Sequence, residues 1–339
     1  MKIARIIVLV IGVSFFATLA YFTYTKVKSI DKTSVSYNGW LKIDGADIIN
    51  SHNKPAQLIG VSTHGIQWDE DNLYNKETIA HLKDDLGINV FRIALYTDPK
   101  QKGYIKNPDL KEKVYKLVDA CIELDIYAVI DWHILADNNP YTYEEEARDF
   151  FVEVSERYKE TPNVIYEICN EPNGEVSWDK DIYPYANNVI SDIREHSEKG
   201  LIIVGTPVWS TDLTSAARKP LADKNTAYAL HFYAGSHNIT LRDEIDYFRE
   251  KGLAVFVTEC GATDTSGNGD LNEEAFTRWT DFMKERHISW IYWSYSNMNE
   301  SSAMLQKEAV PSFEDGKTLD EYLSPSGQLY KKNSVRDEK

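Results

Sequence analysis

Eight short apolar runs recur along the chain, at residues 58–61, 90–95, 127–130, 164–168, 201–204, 227–232, 253–257 and 290–293. Their near-continuous hydrophobicity is that of parallel strands buried on both faces, not of strands with one wet side. Helical spacing fills the intervals, over residues 78–86, 110–124, 143–158, 183–194, 241–249 and 273–286, and residues 319–323 read as the start of a last helix. In residues 110–124, Val114, Leu117, Val118, Cys121, Ile122 and Leu124 fall mostly on one face. Residues 143–158 open with three glutamates behind Thr142, a cap and a charge placement that favour a helix start. Ahead of the series, two short alternating segments, 40–43 and 47–49, flank Gly45 and predict a small β-hairpin. Strands alternating with helices in this number predict the α/β class and a (β/α)8 barrel behind that hairpin. A doubly wound sheet would carry a Gly-rich phosphate turn after an early strand, and none is present.

A different pattern precedes the hairpin. Residues 6–22 are uncharged and mostly apolar, with Lys2 and Arg5 before them and Lys26 and Lys28 after. Basic residues ahead of an apolar core are the mark of an export signal. The run is long for a cleaved signal and slightly short for a spanning helix. Thr18-Leu19-Ala20 offers a cleavage site, whereas the lysines beyond resemble those of an uncleaved anchor. The expectation is a secreted or extracellular protein, with membrane anchoring by residues 6–22 as the variant outcome. The predicted organisation is then residues 1–30 as signal or anchor, 31–333 as the barrel and 334–339 as a charged tail.

Composition narrows the partners. A formal net charge of -16 repels phosphate backbones and excludes nucleic acid, while a neutral polymer is indifferent to it. The 21 Tyr and 8 Trp suit sugar rings, which stack on flat aromatic faces, although most aromatics in a barrel this size fill core. The three cysteines, Cys121, Cys169 and Cys260, form no C-x-x-C pair and lie in or beside apolar runs, so they read as buried free thiols. Neither H-E-x-x-H nor H-x-H occurs, and Gly60-Val61-Ser62-Thr63-His64 misses the G-x-S-x-G elbow at its last position. No metal and no cofactor is implied, and the expected state is a monomer.

In a barrel, chemistry sits at the C-terminal ends of the strands. Reading onward from each apolar run meets His64 and Trp68, then Arg92 and Tyr96, then Asp131-Trp132-His133, then Asn170-Glu171-Pro172. It then meets Trp209, His231-Phe232-Tyr233, Thr258-Glu259-Cys260-Gly261 and Trp293. One polar strand end is ordinary; eight such ends with two glutamates among them suit a carbohydrate cleft. Glycoside hydrolysis needs two carboxyl groups across the scissile bond, about 5–5.5 Å apart when configuration is retained. Glu171 and Glu259, ending the fourth and seventh strands, can face each other across the mouth.

These residues carry a resemblance. The ordered set formed by residues 60–68, Val90-Phe91-Arg92, residues 131–135, residues 166–172, residues 228–235 and Val257-Thr258-Glu259 resembles glycoside hydrolase family 5, in its bacterial endoglucanase group. The resemblance runs from about Gly39 to the C-terminal region. It implies a retaining endo-β-1,4-glucanase acting on cellulose or a related glucan, with Glu171 as acid/base and Glu259 as nucleophile. It further implies Arg92 as the arginine that keeps the nucleophile ionised, Asn170 as the holder of the sugar 2-hydroxyl, and Tyr233 beside the nucleophile. His133 and His231 are implied as supporting histidines, Trp68, Tyr96, Trp209 and Trp293 as aromatic sugar platforms, and His64 and Glu300 as further sugar contacts. Two departures stand out: Cys260 where the family usually has Trp, and Met298 in place of a lysine that contacts distal glucose units. Mannan, xylan and mixed-linkage glucan remain alternative polymers. A sugar-binding barrel without catalysis is the alternative of another class, disfavoured by the presence of both glutamates.

Overall fold

The apolar runs close on themselves. In the computed structural model, which describes residues 31–335, eight parallel strands close into a barrel in chain order, the last pairing with the first. These are β3 (Ile59–Thr63), β4 (Val90–Tyr96), β5 (Tyr127–His133), β6 (Val164–Glu167), β7 (Leu201–Val204), β8 (Thr226–Tyr233), β9 (Val255–Gly261) and β10 (Trp290–Tyr295). The short helix α1 (Val35–Asn38) and the antiparallel hairpin β1 (Lys42–Asp44) and β2 (Asp47–Ile49) come first. Around the barrel run α2 (Lys76–Leu86), α3 (Leu110–Glu123), α4 (Glu144–Arg157), α5 (Tyr183–His196), α6 (Leu213–Arg218), α7 (Ile239–Glu250), α8 (Glu273–Glu285) and α9 (Pro325–Asn333). The predicted (β/α)8 barrel and hairpin are therefore present. The segment 6–22 lies outside the described residues, as do residues 336–339 of the tail. Among the described residues no helix is long and apolar enough to cross a membrane.

Period-2 alternation along the strands sorts their side chains into two cores. Outward residues such as Phe91, Ile93, Ile130 and Trp132 meet the helices. Inward residues of the lower barrel, Val90, Tyr127, Val129, Ile165, Leu201, Ile203, Ala227, Ala229, Phe256 and Ile291, pack together with Leu41 and Ile48 of the hairpin region. The hairpin thus belongs to the apolar plug at the barrel's N-terminal end, and Tyr127 Oη donates to Gly39 O at 2.7 Å across that junction. One layer up, the inward positions turn polar: Arg92, Asp131 and Glu167 are fully buried inside strands that the hydrophobic pattern alone would fill with aliphatics. Above them Ala94, Tyr96, Tyr233 and Trp293 cluster at the mouth.

Local differences from the sequence pattern have identifiable causes. Thr142 does not cap α4. The chain enters that helix through a 3-10 turn at Pro140–Tyr143, which Asn139 caps by accepting from Tyr141 N at 3.0 Å, while Thr142 Oγ1 donates to Asp137 O. Residues 319–323 do not start the last helix. Leu319–Glu321 makes a single 3-10 turn, and Leu323 then bridges to Leu305. The helix begins at Pro325, where a proline costs no hydrogen bond, behind Ser324, whose side chain accepts from Gly327 N. Several strands run further than their apolar cores: β5 continues through His133 and β9 through Gly261, because inward polar residues there pair with each other and need no water. All three cysteines are buried and free, as expected.

Candidate active site

The mouth of the barrel opens into a cleft of about 520 Å³, lined among others by His64, Tyr96, His133, Glu171, Trp209, His231, Tyr233, Glu259, Trp293 and Glu300. Glu259 does not follow its strand but lies inside β9, opposite His231 of β8, after an irregularity in the pairing between Ala229 and His231. A bulge of this kind re-aims side chains next to functional sites. Glu171 stands beyond the end of β6, where Ser210 Oγ donates to Asn170 O at 2.7 Å and Asn173 Nδ2 donates to Glu171 O at 2.8 Å. Gly205 permits this packing: a Cβ there would lie 2.3 Å from Cys169 O. One oxygen of Glu171, one of Glu259 and a His231 ring nitrogen all lie within 4.8 Å of one another. The two carboxyl groups are thus close to the spacing of a retaining pair and short of the wider gap of about 6.5–9.5 Å that inversion needs.

Each carboxylate has its own partners. His231 is held neutral, its pKa pushed down to about 4 by burial. Its Nδ1 donates to Glu171 Oε1 at 2.7 Å, while Thr258 donates to its Nε2 at 2.9 Å. Tyr233 Oη donates to Glu259 Oε1 at 2.7 Å, and Arg92 Nη1 reaches Glu259 Oε2 at 3.3 Å. Tyr233 is seated by Gly261, since a Cβ there would lie 2.8 Å from the tyrosine ring.

Opposing effects act on the charge of Glu259. Arg92 does favour the ionised form of Glu259, but burial and the Glu171 carboxylate outweigh it, and Glu259 is pushed up to about 7. Glu171 is pushed up to about 8, first by burial and then, against Arg92, by the carboxylates of Asp131 and Glu167. The order is what matters. The guanidinium and the phenol beside Glu259 favour its carboxylate, so in the singly charged pair they draw the negative charge to Glu259 and leave the proton to Glu171.

Beneath the pair lies a network that the strand-end reading did not assign. Arg92 donates from Nε and Nη2 to both oxygens of Glu167, at 2.7 and 3.2 Å, and its Nη2 lies 3.0 Å from Asp131 Oδ2. Asp131 Oδ2 also accepts from His133 Nδ1 at 2.6 Å. The signal was available: Asp131 stands two positions before His133, so both project from the same side of β5.

Other assigned residues fall into two groups. Tyr96 stacks on His133 at 4.1 Å between ring centroids, and His133 stacks on Trp293 at 5.4 Å, which makes the histidine the middle of an aromatic wall. Trp209 projects half-exposed from the turn Pro207–Ser210, in which Val208, Trp209 and Ser210 hold positive φ. Glu300 faces His64 at 4.0 Å. Trp68 packs against the same mouth cluster, on Tyr96 at 4.8 Å, and lines a neighbouring groove with His64, Asn297 and Met298. Asn170 and Arg92 lie below the cleft lining. The Asn170 amide accepts from Arg92 Nη2 at 2.7 Å and donates to Ile134 O at 3.0 Å and to His133 Nε2 at 3.3 Å, so a sugar hydroxyl would compete with that longest bond. His237, whose Nδ1 accepts from Tyr233 N at 2.9 Å, also lines the cleft and was not foreseen.

Among the described residues, Glu171, His231 and Glu259 form a group whose donor atoms could converge on a metal ion. Their hydrogen bonds already engage those atoms, and the guanidinium beside Glu259 opposes a second cation there.

Comparison with known proteins agrees with this geometry. The profile of the cellulase family, glycosyl hydrolase family 5, matches residues 49–299. The chain is 45% identical to an endoglucanase of Clostridium saccharobutylicum over 310 residues, 91% of this chain and 68% of that protein. It is 46% identical to endoglucanase N of Pectobacterium atrosepticum over 301 residues, 89% of this chain and 66% of the relative. Among solved structures, cellulase Cel5C_n superposes with a TM-score of 0.84 at 38% identity, over 89% of this chain and 94% of that one. The catalytic domain of the Thermobifida fusca endoglucanase Cel5A (E5) does so with a TM-score of 0.81 at 33% identity, over 88% and 98%.

Proposed function

Because the chain belongs to the cellulase family, glycosyl hydrolase family 5, we propose that it is a retaining endo-β-1,4-glucanase in which Glu171 is the acid/base and Glu259 the nucleophile. The observation that carries the reading is the close pair: two buried carboxyl groups with oxygens within 4.8 Å, one of them held by a guanidinium and a phenol.

In the first step Glu259 attacks the anomeric carbon as the glycosidic bond breaks, and Glu171 delivers its proton to the departing oxygen. Glu259 is then a neutral ester and Glu171 a carboxylate. In the second step Glu171 takes a proton from water, the hydroxyl oxygen attacks the anomeric carbon, and Glu259 leaves as a carboxylate. The pair carries one negative charge at every stage, so the buried environment meets no change of net charge. Neutral His231 orients the Glu171 carboxyl through both halves of the cycle. Tyr233 and Arg92 hold the Glu259 oxygens and stabilise the charge when it returns.

Tyr96, Trp209 and Trp293 supply stacking faces along an open cleft, which suits binding in mid-chain. A polymer of glucose too large to enter a cell is met outside it, and the export-type pattern at residues 6–22 accords with that. Incubation with a panel of soluble β-glucans, mannan and xylan, followed by reducing-end and viscosity measurements, tests the reading. Rapid loss of viscosity on a β-1,4-glucan supports it, and release of monomer alone from chain ends contradicts it.

A further inference from the structure

We propose that Glu167, with Asp131 opposite it, is a positioning residue for hydrolysis: the two carboxylates grip Arg92 from below, fix which nitrogen reaches Glu259, and absorb enough of its charge that the proton stays on Glu171. This rests on the roles given above to Glu171 and Glu259.

The strand register sets the argument. Asp131 on β5 and Glu167 on β6 are direct neighbours across a parallel pair, and both side chains are fully buried. Two carboxylates side by side in the interior repel, and each would incur a large desolvation penalty alone. Arg92 from β4 relieves both, as a planar fork that matches one carboxylate and touches the next.

The geometry distributes its donors unequally. Nε and Nη2 face Glu167, and Nη2 also faces Asp131 Oδ2 and Asn170 Oδ1. Only Nη1 points toward Glu259, at 3.3 Å, with Ser62 Oγ at 3.4 Å. The contact to the nucleophile is therefore longer than the shortest bond to Glu167, at 2.7 Å. The fork on Glu167 sets the plane of the guanidinium, and that plane decides where Nη1 lands.

Charge follows the same division. Burial pushes Asp131 up to about 7 and Glu167 upward, both against Arg92; once both are ionised, one guanidinium between two carboxylates leaves the floor of the site negative rather than positive. A positive floor would strip the proton from Glu171 as readily as from Glu259. The groups facing this region are Arg92 from β4, Asp131 and His133 from β5, Glu167 from β6, His231 and Tyr233 from β8 and Glu259 from β9, with Tyr96 and His64 at the mouth. Both buried histidines are held in the neutral form, chiefly by burial. The direction of the Glu171 shift, upward against Arg92, is in line with this. Asp131 has a second task, since the same oxygen that faces Arg92 accepts from His133 Nδ1 and so aims the ring stacked under Tyr96.

The test is Glu167→Gln, which keeps the shape and one acceptor but removes the charge, read as kcat/KM against pH. The whole profile should move to lower pH by about one unit, the size expected for loss of one nearby charge, because both Glu171 and Glu259 ionise more easily. KM for the polymer should be unchanged. Glu167→Asp, which restores charge with a shorter reach, should return the profile to its wild-type position at reduced kcat. A uniform loss at all pH values, with unmoved limbs, would assign Glu167 to structure alone and overturn the proposal. Should E167Q not fold, Asp131→Asn reads the same floor charge by the same criterion. If Glu171 and Glu259 proved dispensable, the reading of the pair would fail; if they are essential and the limbs do not move, only this inference fails.

Discussion

The Tyr233 hydroxyl donates to Glu259 Oε1 at 2.7 Å, from a strand position two residues beyond the histidine that holds Glu171. One β-strand thus presents to each carboxyl of the pair its own neutral donor, through inward side chains of the same parity. Removing the hydroxyl by Tyr233→Phe leaves the ring on Gly261 and deletes a hydrogen bond to a charge, worth about 1.5–3 kcal/mol. The expected result is a fall in kcat/KM of roughly ten- to hundredfold. The acid limb should move to higher pH, since the phenol lowers the Glu259 pKa and its loss raises it. Steady-state kinetics across pH checks both effects.

The pair itself predicts the wild-type profile. In the proposed roles Glu259 must be ionised to attack and Glu171 protonated to donate, and they are displaced upward to about 7 and about 8. Activity should rise through the first value, peak between them and fall through the second, with both limbs belonging to the coupled pair. A profile whose limbs both lie below pH 5 would contradict the burial argument.

The same displacement is a statement about stability. Burial raises the Glu171 pKa from 4.5 in its ordinary state to about 8 in the fold, so the folded protein favours the protonated carboxyl. The associated stability is fully present below the ordinary value and is lost as pH rises through the raised one. Glu171→Gln stays neutral throughout and escapes that loss. Its melting temperature should exceed wild type by a margin that grows from pH 5 to pH 9 and closes near pH 4, as thermal scans across pH would reveal.

The acid role has its own signature. Glu171→Ala should lower polymer hydrolysis by roughly 10²–10⁴-fold yet spare the first step on aryl glycosides whose leaving groups need no proton. Equal loss on both substrates would contradict the assignment.

Much of this was legible in the amino-acid order. Continuous apolar runs at regular spacing located all eight strands, and the residues at or just past their ends located Glu171, Glu259, His231 and Tyr233. What stayed hidden is long-range. Arg92 reads as a nucleophile's partner, but its strongest bonds go to Glu167, from a strand two places away, and only the barrel's closure brings them together. Hydrophobic periodicity ends the third run before Asp131 and assigns nothing to Glu167 within the fourth, because it cannot foresee that a buried guanidinium makes their burial tolerable. Trp68 and Trp209 read alike as platforms, yet the fold separates them. A left-handed turn exposes Trp209 to the main cleft, while Trp68 leans on Tyr96 in the adjoining groove. That groove also contains Met298, so Met298→Lys should lower KM for long oligosaccharides while leaving short ones unchanged, as kinetics on a length series would test.

The central claim is direct displacement by Glu259, and the configuration of the first product tests it. Two carboxyl groups this close leave no place for a water between Glu259 and the sugar, whereas inversion needs about 6.5–9.5 Å. Proton NMR of the earliest products, recorded before mutarotation mixes the anomers, should show the β-anomer alone. An initial α-anomer would contradict the account, even if both glutamates proved essential.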